Sequence, residues 1–230
     1  MLLDNPYLKL LRIPNIFTVP GDIILGFLIA LAVFESPSMG SSDIIKVDLL
    51  ILIFSSITIY LGGLVSNDLF DIKIDKIERP NRPLSSGKVQ KKHAIILLIC
   101  LFSIGFLLSL LVNLVAAGIC GVLILSIVLY NYKLKSGVLR PFVMGGIRSL
   151  NIFYGFSSLF GYSGQSIKNT EAELAFYNIN SELLMLLCLV LASVFFHVYV
   201  ITWVSSRETA REFADKNKKT ISVKAVYYSY

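Results

Sequence analysis

The chain has 230 residues, of which 55% are hydrophobic and only 16% are charged, and its formal net charge is +6. A mean hydropathy of +0.73 is typical of an integral membrane protein and excludes an ordinary soluble domain. Charged residues are confined to short segments between long apolar runs, so we attribute the excess of base to membrane orientation and not to nucleic-acid binding. Cys100, Cys120 and Cys188 lie within apolar runs, at spacings that do not suit a metal site.

Six continuous apolar runs follow one another along the chain, each near the roughly 20 residues that a helix needs to cross a bilayer. Continuous hydrophobicity favours helices over a membrane barrel, whose strands alternate, and helices satisfy every backbone polar group in lipid. We therefore predict an all-α, polytopic membrane helix bundle that forms one domain over residues 1–230. The runs are placed at 16–34, 47–66, 94–112, 114–131, 141–161 and 183–204.

The segments between these runs alternate in charge. All but three of the 21 Lys and Arg residues lie in the N-terminus, in segments 67–93 and 132–140, or in the tail 205–230. The opposite side carries mainly Asp and Glu. Because basic loops are retained on the cytoplasmic side of a membrane, we predict that the basic side faces the cytoplasm.

A charged stretch, VSNDLFDIKIDKIERPNRPLSSGKV (65–89), begins at the end of the second run. Asn67, Asp68, Asp71 and Asp75 recur at spacings that return to one face of a helix, so their side chains are expected to converge. Clustered anions repel one another unless a cation lies between them, and Mg²⁺ prefers such oxygen ligands. Carboxylates for a metal, followed by bases for phosphate, predict a diphosphate site. The bases are Lys73, Lys76, Arg79, Arg82 and Lys88.

The same stretch carries a family resemblance. NDLFDIKID followed by ERPNRPLSSGKV resembles the first aspartate-rich motif of the UbiA superfamily of intramembrane prenyltransferases, N-D-x-x-D-x-x-x-D and then R-P-x-R-P-L-x-S-G. The plainer interpretation is a solvated loop that joins two helices, but such a loop needs neither the aspartate spacing nor both Arg-Pro pairs. The resemblance implies a UbiA-type bundle, Mg²⁺ as cofactor, and an allylic prenyl diphosphate and a lipophilic acceptor as substrates.

Two further segments are similar to family motifs. RIPN resembles an R-x-x-N start and implies that Asn15 lines the substrate pocket, whereas the role of Asp22 is left open. YNYKLK resembles a Y-x-x-x-L-K segment, and this implies that Tyr130 and Lys135 contact the diphosphate. The alternative is an ordinary pair of interfacial anchors at a helix end.

Arg148 and Asn151 lie three residues apart, on one helical face, within the fifth apolar run. An arginine there must face the bundle interior and find an anion, which is either an aspartate or a bound diphosphate. G-x-x-R-x-x-N-x-x-x-G resembles one branch of the superfamily. The competing interpretation is an Arg–Asp pair that only holds helices together. Small residues nearby are expected to allow close helix packing, namely Gly145, Gly146 and Gly155.

Glu208, Glu212 and Asp215 follow the sixth run on one helical face. The resemblance implies a second acidic, metal-binding motif here, although Glu212 replaces the usual Asp and the fuller E-D-x-x-G-D pattern is absent. A solvated amphipathic tail is the alternative. The final ISVKAVYYSY is similar to the start of a seventh helix, so we expect the chain to be shortened at its C-terminus relative to the family.

Together with the diphosphate site, the resemblance implies Mg²⁺-dependent transfer of an isoprenyl group to an aromatic or other lipophilic acceptor. Tyr60, Phe153 and Tyr154 are expected to line a dry chamber for the allylic cation. An inactive UbiA-like scaffold and a small-solute transporter remain open, although the halves show no inverted repeat. The expected catalytic residues are Asp68, Asp71, Lys135 and Arg148; the metal ligands are Asn67, Asp68, Asp71, Asp75, Glu208, Glu212 and Asp215; the diphosphate contacts are Asn15, Asn67, Arg79, Arg82, Tyr130 and Asn151.

Overall fold

The computed structural model describes residues 5–11, 16, 19–33, 43–134, 139–160 and 181–227, and of residues 43–45, 133, 181 and 208–227 it describes the backbone alone. Every regular element in these ranges is helical. The elements are α1 (Pro6–Leu11), α2 (Val19–Val33), α3 (Asp43–Phe70), α4 (Ile72–Glu78), α5 (Lys91–Val112), α6 (Leu114–Leu129), a π-helical turn (Tyr130–Leu134), α7 (Arg140–Phe156), a 3₁₀ turn (Ser157–Leu159) and α8 (Ser181–Tyr227).

The six predicted apolar runs correspond to α2, α3, α5, α6, α7 and α8. Within the described residues, α3, α5, α6 and α8 each contain a stretch long and apolar enough to cross a membrane, and α2 is a shorter apolar helix. The predicted all-α, polytopic bundle is confirmed. The segment expected to begin a seventh helix differs in its described part, because α8 continues without a break to Tyr227 and so includes residues 221–227.

Helix α7 lies at the centre of the bundle, with α2 packed on one side and α8 on the other, while α3 packs along α5. The α2–α7 contact is made by backbone against backbone. A Cβ atom added at Gly26 would overlap the carbonyl oxygen of Ile152, and one added at Gly155 would overlap that of Ile23. Only glycine at both positions allows helices to approach this closely.

The other two glycines predicted to pack helices behave differently from each other. A Cβ atom added at Gly145 would lie 2.8 Å from the carbonyl oxygen of Phe195, so this glycine allows α7 and α8 to touch. Gly146 has no such neighbour within 4 Å, and its predicted role in packing is wrong. The two residues point about 100° apart around the helix, so only one of them meets α8.

The basic loop after α4 is anchored to the end of the bundle by apolar packing. Leu84 and Val89 of the loop are buried against Leu10 of α1, Val65 of α3 and Ala94 of α5. Burial of this cluster removes apolar surface from water, at about 25 cal/mol per Å². The loop therefore holds its arginines at a fixed place beside the end of α3.

Candidate functional site

Two aspartates of the acidic motif meet around one nitrogen atom. Asp68 lies near the end of α3 and Asp75 lies in α4, and each is only 3% exposed. The Nη1 atom of Arg82 donates to Asp68 Oδ1 at 3.2 Å and to Asp75 Oδ2 at 2.5 Å. The shared guanidinium compensates two buried charges that would otherwise be costly. The two carboxylates thus converge on one guanidinium nitrogen, Nη1 of Arg82.

The helical path of the motif continues through the junction between α3 and α4. The backbone N–H of Asp71 donates to the carbonyl of Asn67 at 3.0 Å, and that of Asp75 donates to the carbonyl of Asp71 at 2.8 Å. The side chain of Asn67 donates to Asp68 Oδ1 across 3.4 Å. The junction therefore preserves the helical register that the sequence spacing predicted.

The carboxylates of Asp68 and Asp75 suit Mg²⁺ better than a metal ion whose ligands all come from protein side chains. Among the described residues, no three His, Cys, Asp or Glu side chains are grouped to hold a metal ion. Two carboxylates already approach one positive charge, however, and Mg²⁺ is commonly held by one or two carboxylates together with water and phosphate oxygens. The side chains of Glu208, Glu212 and Asp215 lie outside the described residues.

A cavity of about 480 Å³ opens beside the motif. Four arginines line its wall, two from the basic loop and two from α7, and guanidinium groups can bind phosphate in a bidentate manner. Apolar side chains of α3, α6, α7 and α8 form most of the remaining surface. The wall includes six residues that the sequence singled out, namely Tyr60, Asn67, Arg79, Arg82, Tyr130 and Arg148.

The end of α6 reaches the cavity through the π-helical turn. Tyr130 and Asn131 are buried at 9% and 7% exposure and line the wall. The side-chain amide of Asn131 donates to the carbonyl of Gly63 at 3.2 Å, which fixes the turn against α3. A π-helical turn changes the direction of its side chains and is frequent at functional sites. Lys135 and Asn15, both predicted to contact the substrate, lie outside the described residues.

Arg148 is held at the wall by Asp22 of α2. Its Nε atom lies 3.0 Å from Asp22 Oδ2, and the side-chain amide of Asn151 donates to the same oxygen at 3.1 Å. Ser56 of α3 in turn donates to Asn151 Oδ1 at 2.7 Å. The side chain of Arg148 remains 34% exposed. Asp22, whose role the sequence left open, is therefore the anion that this membrane arginine requires.

A smaller pocket of about 70 Å³ shares part of its wall with the cavity. Arg148 and Asn151 form its polar side, and Ile59, Leu123 and Ile127 form its apolar side. Asn151, predicted to contact the substrate, lines this inner pocket and not the larger cavity. The cavity and the smaller pocket therefore both combine polar side chains with apolar ones, and Arg148 belongs to both walls.

Of the three aromatic residues predicted to line the chamber, only Tyr60 does so. Tyr154 is fully buried, and its hydroxyl lies 2.7 Å from Ser55 Oγ and 2.5 Å from Ser109 Oγ. Phe153 stacks on Phe156, with ring centroids 5.8 Å apart. Both residues lie on faces of α7 that differ from the face of Arg148, so the prediction was wrong for them.

Two wall residues, Asn131 and Arg140, were missed by the sequence interpretation. In the sequence interpretation, Arg140 was only one of the basic residues of segment 132–140. A sequence signal for its position does exist, because Pro141 follows it directly and proline is favoured in the first turn of a helix. This pattern places Arg140 at the start of α7. Asn131 carries no comparable signal, because an asparagine at the end of a membrane helix is common.

A model of the UbiA prenyltransferase family matches residues 23–227, which is most of the chain. The chain belongs to the UbiA prenyltransferase family. With its long apolar helices, this UbiA chain is an integral membrane protein.

The chain is similar to digeranylgeranylglyceryl phosphate synthase of Sulfurisphaera tokodaii, at 32% identity over 67% of this chain and 52% of that protein. It spans about half the length of several curated relatives that it matches. Any activity, substrate or partner of those proteins is therefore carried to this UbiA chain only as a proposal.

Two solved structures share the fold. One, described as giving insights into the biosynthesis of digeranylgeranylglyceryl phosphate synthase in membranes, matches with a TM-score of 0.60 and 22% identity, over 95% of this chain and 94% of that chain. The other is a UbiA homologue from Archaeoglobus fulgidus bound to GPP and Mg²⁺, with a TM-score of 0.50 and 16% identity, over 87% and 77%. At these identities the likeness concerns the fold alone.

Proposed function

We propose that this protein transfers an isoprenyl group from an allylic prenyl diphosphate to a lipophilic acceptor within the membrane. The observation that carries the proposal is the cavity wall, where Arg79, Arg82 and Arg148 lie beside a pair of buried carboxylates. Diphosphate is the leaving group in such a reaction. Its charge rises as the C–O bond breaks, and fixed cations in a site with little water stabilise that charge effectively.

The chain's own residues supply the contacts for the diphosphate. Arg79 and Arg82 from the basic loop and Arg148 from α7 line the same cavity, so the cations come from two different parts of the fold. Asn67 and Tyr130 add neutral hydrogen-bond donors to the same wall. The proposal also retains Asn15, Lys135 and Asn151 as contacts of the diphosphate.

Asn67, Asp68 and Asp71 would hold Mg²⁺, with Asp75 in support. The A. fulgidus homologue was solved with GPP and Mg²⁺, and the convergence of Asp68 and Asp75 on one cationic nitrogen fits such an ion. Bound there, Mg²⁺ neutralises charge that develops on the departing diphosphate. A second ion at Glu208, Glu212 and Asp215 remains part of the proposal.

The apolar part of the cavity protects the allylic cation from water. Ile127, Met144, Ile147 and Val198 contribute hydrocarbon surface to the wall, and Tyr60 presents an aromatic ring. An aromatic face stabilises a cation, and exclusion of water prevents its capture as the prenyl alcohol. These residues support transfer to an acceptor over simple hydrolysis.

The acceptor proposed here is a phosphorylated glycerol lipid and not an aromatic ring. The name of the S. tokodaii relative denotes a glyceryl phosphate that carries two geranylgeranyl groups. The basic wall of the cavity suits a second anionic substrate. Because the basic segments meet at this end of the bundle, the cavity is proposed to open to the cytoplasmic face.

The test is an assay of the purified protein in lipid nanodiscs with labelled geranylgeranyl diphosphate, geranylgeranylglyceryl phosphate and Mg²⁺. We expect equal amounts of doubly prenylated glyceryl phosphate and diphosphate. An inactive scaffold yields neither product. A transporter carries labelled solute across liposomes without releasing diphosphate, and either of these results would overturn the proposal.

A further inference from the structure

Arg140 has a guanidinium group that is not fully satisfied within the described part of the chain. Its side chain lines the cavity, and its Nε atom is buried with no hydrogen-bond partner there. A buried donor without an acceptor is destabilising. Such a group is retained in a binding site when a ligand supplies the missing acceptor.

Two other cavity arginines already have anionic partners from the protein. Arg82 contacts Asp68 and Asp75, and Arg148 contacts Asp22. These pairs fix each guanidinium in place beside the acidic motif or the inner pocket. Within the described residues no carboxylate forms an ion pair with Arg140, so its local role differs from that of Arg82 and Arg148.

Arg140 also lies at the end of α7 where we expect the headgroup of a lipid. It is the first residue of α7, at the basic end of the bundle, and Arg148 lies eight residues further into the membrane on the same helix. At the rise of an α-helix, eight residues separate the two backbones by roughly 12 Å. That separation leaves room for two anionic groups, one near the inner pocket and one near the mouth.

The residues that flank Arg140 favour an amphiphile over a free phosphate. Leu139 and Phe142 are 57% and 59% exposed, so apolar surface directly adjoins the arginine. A phosphorylated lipid presents the matching pattern, with an anionic headgroup next to hydrocarbon. Such a lipid keeps its phosphate at the interface while its chain lies among the helices.

We infer that Arg140 binds the phosphate group of the acceptor and thereby selects a phosphorylated acceptor over an uncharged one. The inference rests on the proposed prenyl transfer, because it assigns a residue to that reaction's second substrate. The diphosphate of the prenyl donor is held by the other arginines and by the acidic motif.

The test measures equilibrium binding of two acceptors, geranylgeranylglyceryl phosphate and geranylgeranylglycerol, to the full chain in nanodiscs. The unmodified protein should bind the phosphorylated lipid at least tenfold more tightly, as expected for charge-assisted hydrogen bonds. Arg140→Gln should reduce this preference to about twofold or less, and Arg140→Lys should restore part of it. Lys92→Gln, which alters an exposed lysine of α5 away from the cavity wall, should leave the preference unchanged.

The binding of geranylgeranyl diphosphate, measured on the same samples, separates the possible failures. Arg140→Gln should retain donor affinity within about twofold, which also shows that the variant is folded. The inference is overturned if Arg140→Gln loses donor affinity and keeps its acceptor preference. It is also overturned if the unmodified protein shows no preference for the phosphorylated lipid. If the preference is present but no product forms in the transfer assay, the proposed function fails while the assignment of Arg140 stands.

Discussion

The guanidinium of Arg148 lies 3.0 Å from the carboxylate of Asp22, across the contact between α7 and α2. Each charge alone would be costly inside a membrane bundle, and the pair reduces that cost. The side chain of Asp22 is 12% exposed, whereas that of Arg148 is 34% exposed. The pair therefore anchors the arginine through its buried partner and leaves part of the guanidinium available to the cavity.

A double-mutant cycle on this pair should give a non-additive result. Asp22→Asn and Arg148→Gln each leave a partner without its counter-charge, so the double variant should be more stable than the sum of the single effects indicates. We expect a coupling free energy of about 0.5–3 kcal/mol, as for contacting residues in one network. The measurement is reversible unfolding in detergent, and additive effects would show that the two side chains do not interact.

Asp68→Ala should abolish Mg²⁺-dependent diphosphate release while leaving expression and membrane insertion intact. The substitution removes a buried carboxylate of the acidic motif, which the proposal assigns to the metal. Glu78→Gln provides the matched control, because it removes an exposed carboxylate of α4. Diphosphate release is followed across a MgCl₂ titration, and turnover by the Asp68 variant would remove this residue from the mechanism.

Asp75→Asn should weaken donor binding without abolishing the response to Mg²⁺. Asp75 holds Arg82 at 2.5 Å, so its neutral replacement leaves the guanidinium less firmly placed in the cavity wall. We expect KM for the prenyl diphosphate to rise about tenfold, as for the loss of one charge-assisted hydrogen bond. A complete loss of turnover that matches Asp68→Ala would instead indicate that Asp75 is a metal ligand as essential as Asp68.

Gly155→Ala should lower the free energy of unfolding by about 1–3 kcal/mol. The added methyl group would overlap the carbonyl oxygen of Ile23, so α2 and α7 have to separate. Gly146→Ala on the same helix is the control, because its Cβ would meet no atom within 4 Å. Thermal unfolding in detergent compares the two, and equal stability of both variants would contradict the close backbone contact.

The helices could be predicted from sequence because long apolar runs have few structural solutions in lipid. The convergence of Asp68 and Asp75 followed from helical periodicity. The partner shared by these aspartates did not, because the position of Arg82 depends on how Leu84 and the rest of its loop pack against α1 and α3.

The inward face of α7 could not be predicted with the same success. Arg148 and Asn151 mark one inward face of α7, but the helix is also packed against α2 and α8, and the sequence does not tell which aromatic residues face the cavity and which face these helices. Tyr154 was therefore expected at the chamber, although its hydroxyl is satisfied by Ser55 and Ser109 in a different part of the bundle. Arg140 was missed for a related reason, because the path of the chain between α6 and α7 decides whether a loop charge faces the cavity.

The reciprocal contact of Gly26 and Gly155 also limits where a lipid chain could pass between helices. At this seam the backbones of α2 and α7 lie too close for even one methyl group. An acyl chain that diffuses laterally in the bilayer has no passage between these two helices at that level. Lateral entry of a long-chain lipid must therefore use a different side of the bundle.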